Sequence, residues 1–186
     1  MATILHLAIV LWMAVPFSYF ISAGANIFTV PKLRDTGAVL GQLSFVSGMA
    51  CVFVMGLFYA LRVPAAVCGA FLALGALMLY EGTRRTVVDR NFFVGLSGEV
   101  PAAVCDAGPY RYVRHPFYLS YMLAFVAVAV AFPSLIVAGM CLVNIGLFVY
   151  IALDDERVLL QSPLTADYMS YKVRVGMFLP RFARKR

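Results

Sequence analysis

The stretch Gly108-Pro109-Tyr110-Arg111-Tyr112-Val113-Arg114-His115-Pro116-Phe117-Tyr118 is polar, basic and aromatic, and it abuts a long apolar run. That run, Phe117 to Phe132, is followed by a second, Leu135 to Leu153, with only Pro133-Ser134 between them. The two runs hold 16 and 19 residues. At about 1.5 Å per helical residue, both lie near the lower limit for crossing a hydrocarbon layer of about 30 Å. A tight helical hairpin is expected. A second polar cluster, Asp154-Asp155-Glu156-Arg157, comes where the hairpin ends. The two clusters are thus expected to wall one site at the membrane surface.

Composition agrees with a membrane chain. Of 186 residues, 63% are hydrophobic and 13% charged, and the mean hydropathy is +0.89. Soluble domains are nearer about half apolar and about a quarter charged. Lipid must therefore be the solvent for much of this surface. The net charge of +6 does not point to nucleic acid, because the basic residues are spread along segments flanking the apolar runs. The four cysteines form no C-x-x-C pair and no His cluster accompanies them, so neither a disulfide framework nor a metal site is expected.

Upstream, three further apolar runs extend over about 4–21, 39–61 and 65–80. The first holds Trp12 and Pro16, and Pro16 is expected to kink it. Ala23-Gly24-Ala25 resembles a signal cleavage site, but no Lys or Arg precedes the run, which favours a retained span. In the second, Gly41, Ser44, Ser47 and Gly48 suit close helix packing. Gly82 to Pro116 reads as an interfacial loop with one short helix. After Asp154 the pattern is amphipathic to Met177.

The expected fold is all-α and polytopic, with five transmembrane helices, a C-terminal hairpin and an amphipathic C-terminal helix. It is one membrane domain: three spans in 1–81, a cytoplasmic loop at 82–116, the hairpin at 117–153 and a cytoplasmic segment at 154–186. With the N-terminus outside, every one of the 15 basic residues except Arg62 falls on the cytoplasmic side. A bacterial inner membrane is favoured over the endoplasmic reticulum.

Three groups of residues suggest chemistry. Pro116 suits the first turn of a helix, which would set His115, Tyr118 and Met122 near one face, with His115 beside the N–H groups of a helix start. An ordinary membrane boundary, with Arg snorkelling and Tyr in the aromatic belt, is the alternative. Carboxylates beside hydrocarbon are costly without a partner or a task; either this is a water-exposed helix end, or Glu156 faces inward to meet an Arg or a ligand. Tyr168, Tyr171 and Arg174, each three apart, are expected to share one side of the last helix.

Together, Gly108-x-Tyr110, Arg114-His115-Pro116-x-Tyr118, Asp155-Glu156-Arg157-x-Leu159 and Tyr168-x-x-Tyr171-x-x-Arg174 ending in Leu179-Pro180 resemble the isoprenylcysteine carboxyl methyltransferase family, which is itself related to phospholipid N-methyltransferases. The resemblance covers about Gly108 to Pro180. The family's Gly after the Arg-His-Pro-x-Tyr-x motif is Ser120 here, and its Glu-Glu pair is Asp155-Glu156. The resemblance implies S-adenosylmethionine as cofactor, surrounded by Tyr110, Val113, Arg114, His115, Tyr118 and Glu156, with Tyr168 nearby. It implies catalytic roles for Glu156 and for Arg174, which would orient the acceptor. That acceptor would be an amphiphile arriving from the bilayer. A prenylated cysteine carboxylate leads; a phospholipid amine, or a small amine or thiol, stays open.

Two other readings compete. Steroid-reductase-type lipid reductases, which use NADPH, share a His-Pro hairpin, but they carry Asn after His-Pro and a later Trp. Here Phe117 follows, and the only tryptophan is Trp12. A non-enzymatic membrane protein would explain the spans but not the polar side chains at both ends of one hairpin.

Overall fold

The computed structural model describes residues 2–27, 36–59, 62–89 and 103–181. Uninterrupted apolar sequence satisfies its backbone internally only as helix when lipid surrounds it. The described residues accordingly form six α-helices and no strand. They are α1 (Ala2–Ile27), α2 (Thr36–Phe58), α3 (Val63–Asp89), α4 (Pro116–Ala131), α5 (Leu135–Leu160) and α6 (Thr165–Arg174), with a 3-10 turn at Gly108–Arg111. The charged loop at 31–35, Arg90 and the basic tail beyond Arg181 lie outside the described residues.

Among the described residues, four helices are long and apolar enough to cross a membrane: α1, α2, α3 and α5. The chain is an integral membrane protein. The fifth expected crossing is α4, which has 16 residues and spans about 24 Å. It is the most enclosed of the apolar helices and lies against α3 and α5. Close approach explains this. At Gly69 of α3, a Cβ would stand 2.8 Å from the Ala127 carbonyl oxygen and 2.9 Å from the Ala131 methyl. Small residues let the two backbones meet. Likewise, a Cβ at Gly48 of α2 would overlap the Phe17 ring of α1, as the small residues there predict.

The core beneath the polar end is aromatic. Phe20 of α1, Phe45 of α2, Tyr80 of α3, Tyr121 of α4 and Phe148 of α5 meet in mostly edge-on and tilted pairs, with ring centroids 4.7 to 5.9 Å apart. Such pairs add stability beyond their buried area. Deeper in the apolar layer, Ser44 Oγ donates to Asn144 Oδ1, and Asn144 Nδ2 donates to the Met140 carbonyl at 2.8 Å. Asn144 thus ties α2 to α5, the packing role a single polar side chain commonly takes inside an apolar bundle.

Two helix ends differ from expectation. α3 does not stop at Glu81 but continues to Asp89, so Arg84 and Arg85 are helical. Both donate to Glu81, at 2.7 to 2.8 Å, and Tyr19 Oη joins them at 2.8 Å. α5 likewise runs past Leu153 to Leu160 and carries Asp154, Asp155, Glu156 and Arg157 on its last turns. Charge ends a membrane span, not a helix. The ladder ends only at Gln161-Ser162-Pro163, where proline cannot continue it.

Candidate functional site

The site is built where the ends of α4 and α5 meet the returning C-terminal segment. After α5, Ser162 Oγ accepts from Leu164 N–H at 3.1 Å, and Thr165 Oγ1 donates to the Leu160 carbonyl at 2.9 Å. This turn reverses the chain and lays α6 beside the end of α5. Past Arg174 the backbone is extended and runs parallel to the residues before α4. Arg114 N–H donates to the Gly176 carbonyl at 2.8 Å, and His115 N–H to the Met177 carbonyl at 3.2 Å. Of the N–H groups at this helix start expected to be open to an anion, that of the N-cap His115 is thus already taken by protein.

Glu156 is the hub. Its side chain is 4% exposed. Oε1 accepts from Arg114 Nε at 2.8 Å and Nη2 at 2.6 Å, and lies 3.3 Å from His115 Nε2. Oε2 accepts from Lys172 Nζ at 2.6 Å. Arg114 is held in turn from the other side. Its Nη1 donates to the carbonyl of Val175 at 2.6 Å and to that of Lys172 at 3.5 Å. A buried carboxylate demands such partners, and these come from two separate segments of chain, the turn before α4 and the last helix α6.

Beside the hub lies a wall of rings. The imidazole of His115 stacks on Tyr118 at 5.6 Å and 13°. Tyr118 continues to Phe148 at 6.1 Å and 24°. Tyr118 Oη donates to Asp155 Oδ2 at 2.7 Å. Ring faces of this kind attract cations.

The sequence-expected residues fall into two groups. Arg114, His115 and Glu156 are in direct contact, and Tyr118 stacks on His115. Tyr168 is 2% exposed and feels the Glu156 charge, yet its hydroxyl makes no hydrogen bond among the described residues. Burial first, and the Glu156 carboxylate next, push its phenol well above the ordinary range. Tyr110 and Val113 are buried framework. The Tyr110 carbonyl accepts from Tyr171 Oη at 2.7 Å, and Val113 forms the backbone bridge to Gly176.

Arg174 stands apart. Tyr168 and Tyr171 are buried, but Arg174 is exposed, which corrects the expectation of one shared face. Each three-residue step falls about 60° short of a full turn, so two steps rotate Arg174 by about 120° away. It lines a cavity of about 200 Å³ with Asp106, Ala107, Arg111 and Val175. Sequence reasoning missed Lys172, because a lysine on an amphipathic helix reads as solvated. It also gave Asp155 no task of its own, since nothing local announces a tyrosine 37 positions away.

No curated protein and no solved structure matches this chain. Residues 83–163 match the family model of the phospholipid methyltransferases. That segment includes the end of α3, the Arg114-His115 turn, the hairpin and Glu156, so most of this site lies in the stretch that is similar to the phospholipid methyltransferases, a family of integral membrane methyltransferases that also includes the isoprenylcysteine carboxyl methyltransferases.

Proposed function

We propose that this protein transfers a methyl group from S-adenosylmethionine to a lipophilic acceptor in the bilayer, the leading acceptor being the carboxylate of a prenylated cysteine or a similar amphiphile. The observation that carries the reading is the buried Glu156 carboxylate, ringed by Arg114, His115 and Lys172 beside a wall of aromatic faces.

The residues present fit this cofactor chemically. Glu156 and Asp155 offer acceptors for its amino group, and the His115–Tyr118 stack ring faces for its cationic sulfur. The Tyr168 hydroxyl, without a hydrogen bond among the described residues, is a further polar group with a bond to give. When bound, the cofactor supplies a methyl group on a positively charged sulfur. The protein's work is then largely positioning and the exclusion of water. Arg114 fixes Glu156, and the 113–115 bridge to 176–177 closes the polar end. Arg174 is read as orienting the polar end of the acceptor from the neighbouring cavity.

A carboxylate or thiolate acceptor needs no base. An amine must lose a proton, and Glu156, already loaded with Arg114 and Lys172, is a poor base for that. This supports a carboxylate. A second reading, methylation of a phospholipid amine, is favoured by the description of the matched family. The basic-residue distribution supports a cytoplasmic site with the N-terminus outside.

Tritiated methyl transfer from S-adenosylmethionine, in membranes making this protein, tests the reading. A methyl ester releases volatile tritiated methanol on treatment with base; an N-methyl product does not. Ester-type release supports the leading acceptor. Base-stable label in phospholipid moves the assignment to the amine, and no incorporation into any lipid-soluble product contradicts the proposal.

A further inference from the structure

We propose that Lys172 is a built-in occupant of an ammonium-binding position at Glu156 Oε2, and that an amine-bearing ligand binds by displacing it. The inference rests on the methyltransferase reading, with the amino-acid end of the cofactor as the displacing group.

The three basic partners of Glu156 are not equivalent. Arg114 and His115 address Oε1 and are 5% and 9% exposed, whereas Lys172 addresses Oε2 and is 35% exposed. Arg114 is also tied to the carbonyls of Val175 and Lys172. The Lys172 ammonium makes its single hydrogen bond, among the described residues, to Glu156 Oε2. One end of the carboxylate is thus a fixed buried pair. The other is closed by a flexible side chain that reaches water.

Charge points the same way. Arg114 alone neutralises Glu156, so Lys172 can leave without stranding a buried charge. A ligand ammonium arriving at Oε2 restores the same charge and the same donor type. Each exchanged group is a primary ammonium, so the protein need not be rebuilt around the newcomer. The buried hydroxyl of Tyr168, near Glu156 and with no hydrogen bond of good geometry among the described residues, offers the arriving group an additional acceptor. Lys172 itself, once free, swings to solvent on its four-carbon stem.

Competition of this kind sets specificity. A ligand with an ammonium group replaces what it displaces; a nucleoside lacking one does not. Three probes separate the possibilities by calorimetry on detergent-purified protein: S-adenosylhomocysteine, its decarboxylated analogue S-adenosyl-3-thiopropylamine, and 5′-methylthioadenosine, which lacks the amino-acid end. In Lys172→Met the amine analogue is expected to bind roughly three- to tenfold tighter, as expected for loss of a partly exposed competing cation. 5′-Methylthioadenosine is expected to be unchanged, and Lys172→Arg to behave as wild type with all three.

Equal tightening of all three probes in Lys172→Met would reveal a general loosening and overturn the exchange. So would weakened S-adenosylhomocysteine with an unchanged amine analogue, because Lys172 would then be a carboxylate ligand. If S-adenosylhomocysteine binds wild type but the methionine variant gains nothing for the amine, the exchange alone fails. If none of the probes binds wild type, the cofactor reading falls and the exchange with it.

Discussion

Arg114 and Glu156, 42 positions apart in sequence, meet through two guanidinium nitrogens on a single carboxylate oxygen, at 2.8 and 2.6 Å. Neither side chain is more than 5% exposed. Removing one partner strands the other, at a cost of about 3–5 kcal/mol, whereas replacing both with apolar groups of similar size is often neutral. Glu156→Gln is therefore expected to lower the thermal unfolding midpoint in detergent markedly, and Arg114→Met with Glu156→Met to recover much of that loss. A double variant as unstable as the sum of its singles would show that the pair is not the relevant unit.

Tyr168→Phe separates stability from ligand binding. Its hydroxyl is buried without a partner among the described residues, and an unsatisfied buried polar group costs about 1–3 kcal/mol. Its removal is expected to raise the ligand-free unfolding midpoint while weakening S-adenosylhomocysteine. A drop in the midpoint would mean that the hydroxyl is bonded after all.

Two glycines carry the polar end. Gly108 has φ +53°, and a Cβ there would overlap the Thr86 side chain on α3; a Cβ at Gly176 would overlap the Leu179 carbonyl. Alanine at either site is expected to destabilise by about 1–3 kcal/mol. Gly75 and Gly139, where a Cβ would meet nothing within 4 Å, are the controls; similar losses there would remove the steric account.

Alkaline pH is a further test. Burial, as the first cause, raises the phenols of Tyr110, Tyr168 and Tyr171 in the folded protein. The folded state therefore holds these protons more tightly than the unfolded chain. Their contribution is complete below the ordinary tyrosine value of about 10 and is lost as pH rises through the folded values. Tyr171 must also stay protonated to donate to the Tyr110 carbonyl. Stability is expected to be flat from neutrality to about pH 10 and to fall above it, read as the unfolding midpoint across pH. A decline beginning near neutrality would contradict this.

Much of the architecture was legible because lipid imposes a simple rule: long apolar runs must be helices. The Pro133-Ser134 break marked the hairpin, and Arg114-His115-Pro116 marked the start of α4. Helix ends were less legible. Hydropathy falls at Glu81 and Asp154, but side-chain charge does not break a backbone ladder, so α3 and α5 extend into the polar zone. The inward-facing reading of Glu156, set against a water-exposed helix end, rests on a carboxylate beside hydrocarbon needing a partner. Lys172 was invisible because its partner, 16 residues earlier, is brought to it only by the turn at Ser162-Pro163. The shared face assigned to Arg174 failed on helical drift, which three-residue spacing accumulates.

The most direct measurement is S-adenosylhomocysteine binding by calorimetry on the purified wild-type protein and on Glu156→Ala and His115→Ala, with NADPH in parallel. The account predicts binding to wild type, loss of more than about tenfold in affinity in each variant, and no binding of NADPH. NADPH binding in place of S-adenosylhomocysteine would transfer the site to reductase chemistry, and binding of neither by folded protein would contradict the enzymatic reading altogether.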